Sequence, residues 1–139
     1  MDLANNSFFI AGKSLKLIQS WEAECLAVII GAKMDALLID EKTTRLLIEN
    51  PRKLEEQLKL EYSRPVFTKE ENISAFRALF SKVKVIRSTE LLAVAAKNGF
   101  FAPFKENESH AFHSALYSLK TAGCSITERE LNHYFSIRV

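Results

Sequence analysis

Residues 20–50, SWEAECLAVIIGAKMDALLIDEKTTRLLIEN, decide how the rest of this 139-residue chain is read. The pattern is helix, turn, strand, helix. An apolar stretch from Ser20 to about Lys33 carries Glu22 and Glu24 near its start and Gly31 near its end, which reads as a helix with Ser20 as N-cap. Ala36-Leu37-Leu38-Ile39 is short, apolar and unbroken, and a helix from about Glu41 to Glu49 follows it. An apolar run of this length with a helix on each side suits a parallel strand covered on both faces. The expected fold class is therefore α/β, a small parallel sheet flanked by helices. Open sheets of that kind place their ligands at the carboxyl ends of their strands, and Asp40 sits at such an end.

The helix can be read one residue at a time. Glu22, Cys25, Leu26 and Ile29 follow the i, i+3, i+4, i+7 rule and share a face that is otherwise apolar. Glu22 is thus expected to point into packed structure, where a carboxylate must be paired, hydrogen-bonded or metal-bound. Cys25 is expected to be an inert buried thiol. Glu24 falls on another side, and for both acids the plainer role is to complement the helix dipole.

Outward from this stretch, composition sets bounds. Length fits one domain, 1–139, with a core of its own. A net charge of +2 is too small to be a nucleic-acid signature alone. The two cysteines, Cys25 and Cys124, stand far apart with no CxxC, which fits a reducing compartment rather than a disulfide framework. No signal peptide is legible and no apolar run reaches membrane-spanning length, so the expectation is a cytoplasmic protein with no membrane partner.

Toward the amino terminus, residues 1–6 read as a frayed polar end, Ser7–Ile10 as a weak strand and residues 13–19 as a lead-in with an early helical turn. Toward the carboxyl terminus, Asn50-Pro51 breaks one helix and starts another, PRKLEEQLKLEY, with Leu54 and Leu58 on one face. Thr68 and Glu71 have capping-box spacing ahead of a helix to about Lys82, striped by Ile73, Phe76, Leu79 and Phe80. Val83–Ile86 reads as a second strand, and Ser88 or Thr89 as the cap of TELLAVAAKN, ended by Gly99. Phe100–Phe104 reads as an aromatic turn. Two helices close the chain, Glu106–Thr121 with Phe112, Leu116 and Leu119 inward, and one capped by Thr127 with Glu130 three residues on, docked by Leu131, Tyr134 and Phe135.

Three segments taken in order, SWEAECLAVIIGAKMDALLIDEKTTRLL, VKVIRSTELLAVAAKNGFF and ALYSLKTAGCSITERELNHYF, resemble the carboxyl half of a PIN-like domain, in particular the small prokaryotic group whose helix reads GEAE and whose next strand ends in two acids. The resemblance runs roughly over residues 20–134. It implies a nuclease in which carboxylates hold Mg²⁺ or Mn²⁺ and the ion activates water at an RNA phosphodiester. Carried over residue by residue, it implies Glu22 and Asp40 as catalytic and metal-binding acids, with Glu41 as a further ligand. Trp21 stands where the family has glycine, and no residue here matches the aspartate of the family's first strand or the acid of its amino-half helix. The chain is accordingly expected to be a metal-dependent PIN-like ribonuclease or a portion of one, or else a PIN-like scaffold without catalysis that binds RNA or a protein.

Other residues carry less. Lys42 and Arg45 follow Asp40 and can meet a nucleic-acid backbone, although a solvated helix face is the commoner meaning of such charges. His110 and His113 are three apart on one helix, with no completing Cys or Asp for a zinc pattern, and read as surface or packing histidines. Cys124 follows Gly123 and reads as partly exposed in a turn. An uncovered edge on the Ala36–Ile39 strand implies a homo-oligomer with residues 1–19 near the contact. The resemblance also admits an antitoxin-type protein partner.

Overall fold

The computed structural model describes residues 1–136, and among them it is α/β, with eight α-helices and two small sheets, one of them a parallel pair. The chain divides into two compact units, Met1–Leu37 with Lys42–Val85 and Leu38–Glu41 with residues 86 onward. No helix among the described residues is long and apolar enough to cross a membrane.

In the first unit the amino terminus is built in rather than frayed. Helix α1 (Asp2–Asn5) buries Ala4, and strand β1 (Phe8–Ile10) turns inward at Phe8 and Ile10. Residues 13–19 do not form a helical turn. Lys13–Ser14 is strand β2, antiparallel to β1 with Phe9 opposite Ser14, and the reversal uses left-handed backbone at Ala11 and Gly12. The Asn5 side chain replaces a stretch of ladder: its Oδ1 accepts from the Leu17 and Ile18 N–H groups, both at 2.8 Å, and its Nδ2 donates to the Ile18 carbonyl at 2.9 Å. Strand β4 (Phe67–Thr68) pairs with the other edge of β1, Phe8 opposite Thr68, giving the order β2-β1-β4. Ser7–Ile10, read from sequence as a weak strand, is thus paired on both sides within its own sheet.

Helix α2 (Ser20–Gly31) has the expected length, but its N-cap position is Gln19. Helix α3 (Lys42–Glu49) buries Leu46, Leu47 and Ile48, and α4 (Pro51–Tyr62) buries Leu54 and Leu58. Each such leucine contributes roughly 1.5–3 kcal/mol relative to exposure. The break between the two helices is capped as the Asn-Pro pair requires, the Asn50 side chain accepting from the Lys53 N–H at 3.1 Å. Helix α5 (Glu70–Leu79) starts after Thr68, not at it: Thr68 is spent on pairing with Phe8, and Lys69 takes the cap position. Of its expected stripe Ile73, Phe76 and Phe80 are buried, while Leu79 is exposed.

Strands β3 (Ala36–Leu38) and β5 (Lys84–Ile86) form the parallel pair. The Lys84 N–H donates to the Asp35 carbonyl at 2.8 Å and the Ile39 N–H to the Ile86 carbonyl at 2.9 Å. The expectation of a strand covered on both faces fails. Only Leu37 of β3 is buried, and Leu38 is 52% exposed. A three-residue strand with one neighbour buries alternate side chains, so an apolar run here follows a half-buried pattern.

The second unit is helical: α6 (Ser88–Lys97), a 3₁₀ turn at Ala102–Asn107, α7 (Glu108–Thr121) and α8 (Glu128–Phe135). Helix α6 is capped from Arg87, one residue ahead of the expected Ser88 or Thr89. Gly99, at φ +78°, ends it as expected. The core gathers Ala93, Ala96, Phe101, Phe112, Leu116, Ile126, Leu131 and Tyr134, with Phe101 edge-on to Phe112 at 5.7 Å between ring centres. Leu119 and Phe135 are half-buried. The Thr127 cap forms as read, Thr127 Oγ1 accepting from the Glu130 N–H at 3.2 Å.

Candidate functional site

Asp40 leaves the carboxyl end of β3 and lies in the second unit, at the start of α6. Its Oδ1 accepts from the Ser88 N–H at 2.8 Å and from the Cys124 thiol at 3.3 Å. The first turn of a helix has N–H groups without intrahelical partners, so a carboxylate there satisfies one of them and meets the positive end of the dipole. Burial by itself would raise the Asp40 pKa. The Ser88 hydroxyl and N–H, the Cys124 thiol and the nearby Arg87 guanidinium outweigh it and hold the carboxyl below its ordinary value. Asp40 is therefore a fixed, ionised oxygen donor at a strand's carboxyl end.

Arg87 stands between two acids of the same unit. Its Nε donates to Glu90 at 3.2 Å and its Nη1 to Glu130 at 2.8 Å. Burial raises the Glu130 pKa, but the Thr127 N–H, the Arg87 guanidinium and the Thr127 hydroxyl prevail and bring it down to about 2. The pair thus ties the beginning of α6 to the beginning of α8. A groove of about 450 Å³ opens beside it, lined by Arg87, Arg129, Glu130, His133 and Tyr134. The sequence shows the Thr127–Glu130 cap but gives no sign of Arg87, 43 positions away, as a partner of Glu130.

Glu22 lies in the first unit and points into packed structure, as its spacing requires: it is 6% exposed. Its Oε2 accepts from the Gln19 N–H at 2.7 Å, the backward arm of a capping box, and its Oε1 accepts from Thr44 Oγ1 at 3.3 Å. Both oxygens are engaged by this chain's own donors. Glu24 is exposed and Glu41 half-buried ahead of α3. Lys42 is exposed at the first turn of α3, whereas the Arg45 side chain is largely covered and pairs with Glu49 at 3.3 Å. His113 packs its ring on Phe135, 4.4 Å between centres, which agrees with a packing histidine.

The two thiols exchange the places expected of them. Cys25 is exposed and Cys124 is 7% exposed. Helix α2 is apolar around most of its circumference, so an apolar neighbourhood in sequence does not say which side is covered. For Cys124 the turn after Gly123 folds inward and delivers the thiol to Asp40. Burial, and then the Asp40 carboxylate, push the Cys124 thiol up to about 11. With a chromogenic disulfide reagent at neutral pH, the native chain should release one thiol equivalent rapidly, from Cys25, and the second only on unfolding. Cys25→Ser should abolish the rapid phase, and two rapid equivalents would contradict the burial of Cys124.

A Mg²⁺ or Mn²⁺ ion asks for several hard oxygen ligands. Asp40 suits that demand as one ionised donor. Glu22, enclosed with both oxygens engaged, suits it poorly, and among the described residues no three His, Cys, Asp or Glu side chains gather as a ligand set. The described residues do not by themselves fit the complete ion site that the PIN-like resemblance implies. Compared with family models, with curated proteins and with solved structures, the chain matches none.

Proposed function

We propose that this chain is a PIN-like RNA-acting protein, a Mg²⁺- or Mn²⁺-dependent ribonuclease or a portion of one, with Asp40 as its acid for the ion. One observation carries the reading: an ionised carboxylate, fixed by the Ser88 N–H at the carboxyl end of a parallel strand, in the position to which the resemblance assigns a metal-binding acid. Glu22 and Glu41 are the further acids the same resemblance assigns, and Lys42 the cation set to meet a phosphate. In this reading hydrolysis needs carboxylates beyond those the chain gathers, which a second copy or another protein would supply.

The second reading is a PIN-like module that binds RNA or a protein without cleaving. The engagement of both Glu22 oxygens by Gln19 and Thr44 favours it. Labelled single-stranded RNA incubated with the chain, with and without Mn²⁺, separates the two when binding and cleavage are measured together. Metal-stimulated cleavage that drops to background in Asp40→Asn supports the nuclease. Binding with no metal-stimulated cleavage supports the module.

A further inference from the structure

The antiparallel sheet of the first unit has an outer face that the core does not use. Phe8 and Ile10 of β1 turn inward, so Phe9 between them turns outward, and its partner in register, Phe67 of β4, shares that face. The two rings meet edge to face, 6.3 Å between centres, and Phe67 is 69% exposed. An open groove of about 590 Å³ runs over them, lined by Phe9, Ala11, Gly12, Pro65, Phe67 and Lys69 among others. Leaving an aromatic ring this bare on a sheet has no folding benefit, since its burial is what would stabilise.

Charge says what covers it. The two segments that build this face, FIAGKSLK (residues 9–16) and SRPVFTK (residues 63–69), carry Lys16, Arg64 and Lys69, with Lys13 opposite Ile10 on the other side of the sheet, and no acid. All four cations are exposed, and none makes an ion pair among the described residues. The nearest acids in sequence, Glu61, Glu70 and Glu71, belong to α4 and α5 rather than to the sheet. Glu55 lies beside Thr68, whose pairing with Phe8 sets it on the inner face. Exposed aromatic rings on a sheet, interleaved with unpaired cations, are the combination that holds unstacked bases and the phosphates between them. A protein partner matched to apolar rings alone would leave the cations without a counterpart.

We infer that the outer face of β2-β1-β4 binds single-stranded RNA, with bases stacked on Phe67 and Phe9 and the backbone tracked by Lys69, Arg64 and Lys16. This deepens the RNA-acting reading by assigning the surface that holds the strand, and it rests on that reading for the choice of RNA.

The test uses the full chain and a fluorescein-labelled oligouridylate of about 12 nucleotides, within the ~4–16 nucleotides that such surfaces cover. Binding is followed by anisotropy at low salt without divalent metal. Phe67→Ala should weaken binding about tenfold or more, and Phe67→Tyr should keep it near the parent value. Because Phe67 is exposed, circular dichroism of both variants should match the parent. Equal binding by parent and Phe67→Ala, or no binding by the parent, overturns the inference. The ion-dependent reading is measured apart from it: Mn²⁺-stimulated cleavage that persists in Phe67→Ala with unchanged affinity removes the surface and keeps the nuclease. Phe67-dependent binding with no Mn²⁺-stimulated cleavage keeps the surface and removes the nuclease.

Discussion

Phe112→Ala lowers the unfolding free energy by about 3–5 kcal/mol, the range for truncating a fully buried ring. Phe112 has no exposed surface and stands in the middle of the second unit's core, edge-on to Phe101 and beside Leu116, Leu131 and Tyr134. Alanine removes the ring's transfer energy and leaves a cavity walled by residues of α6, α7 and α8 together with Phe101 and Ile126, which cannot all collapse onto it. Domains are stable by only about 5–15 kcal/mol, so the change takes a large share of that. Urea unfolding should show the loss, and amide exchange in α6, α7 and α8 should rise. In the same variant the Cys124 thiol should become reactive under native conditions. A loss below about 1 kcal/mol would mean that the core is not packed as described.

Glu22→Ala is expected to cost about 2 kcal/mol, and Glu22→Gln no more than about 1 kcal/mol. Alanine removes the carboxylate that accepts from the Gln19 N–H at the start of α2 and from the Thr44 hydroxyl, and with it the backward arm of the capping box. Glutamine retains a carbonyl oxygen and is the other residue that serves at this position of a capping box. Thermal or urea melts of the two variants decide the matter. The contrast also bears on chemistry, because glutamine keeps the fold while removing the charge that an ion would need. If Glu22→Gln melts like the parent yet loses Mn²⁺-stimulated cleavage, Glu22 has a role beyond holding α2 to α3.

Local rules carried much of the architecture. The Asn50-Pro51 break, the Thr127–Glu130 cap, the Gly99 stop and the α2–β3–α3 order each depend on residues a few positions apart, and each appears where the sequence places it. What escaped depends on distant partners. Thr68 has the spacing of a cap, and Phe8, 60 positions earlier, takes it into a strand instead. Residues 13–14 have no strand signal of their own and are extended because β1 is there to pair with them. Cys25 and Cys124 were each assigned the other's surroundings, since an all-round apolar helix does not announce its covered side and a turn does not announce which way it folds. At the candidate site, Asp40 was legible from its place after an apolar run, whereas Ser88, Cys124 and the Arg87–Glu130 pair become visible only when the second unit is folded.

The sheet of the first unit also sets an order of events during synthesis. Strand β1 waits for β4, the Lys69 N–H closes on the Ser7 carbonyl at 2.7 Å, and the Asn72 side chain reaches the Asn6 carbonyl across 66 positions of chain. At about 5–20 residues per second the ribosome needs roughly 3–13 s to supply those partners after residue 6 is made. Through that interval the edge of Phe8-Phe9-Ile10 that faces away from β2 is unpaired, open to whatever binds nascent chains. Once residue 72 has emerged, the same long-range ties that delayed the sheet hold Ser7 and Phe8 in the interior of the first unit.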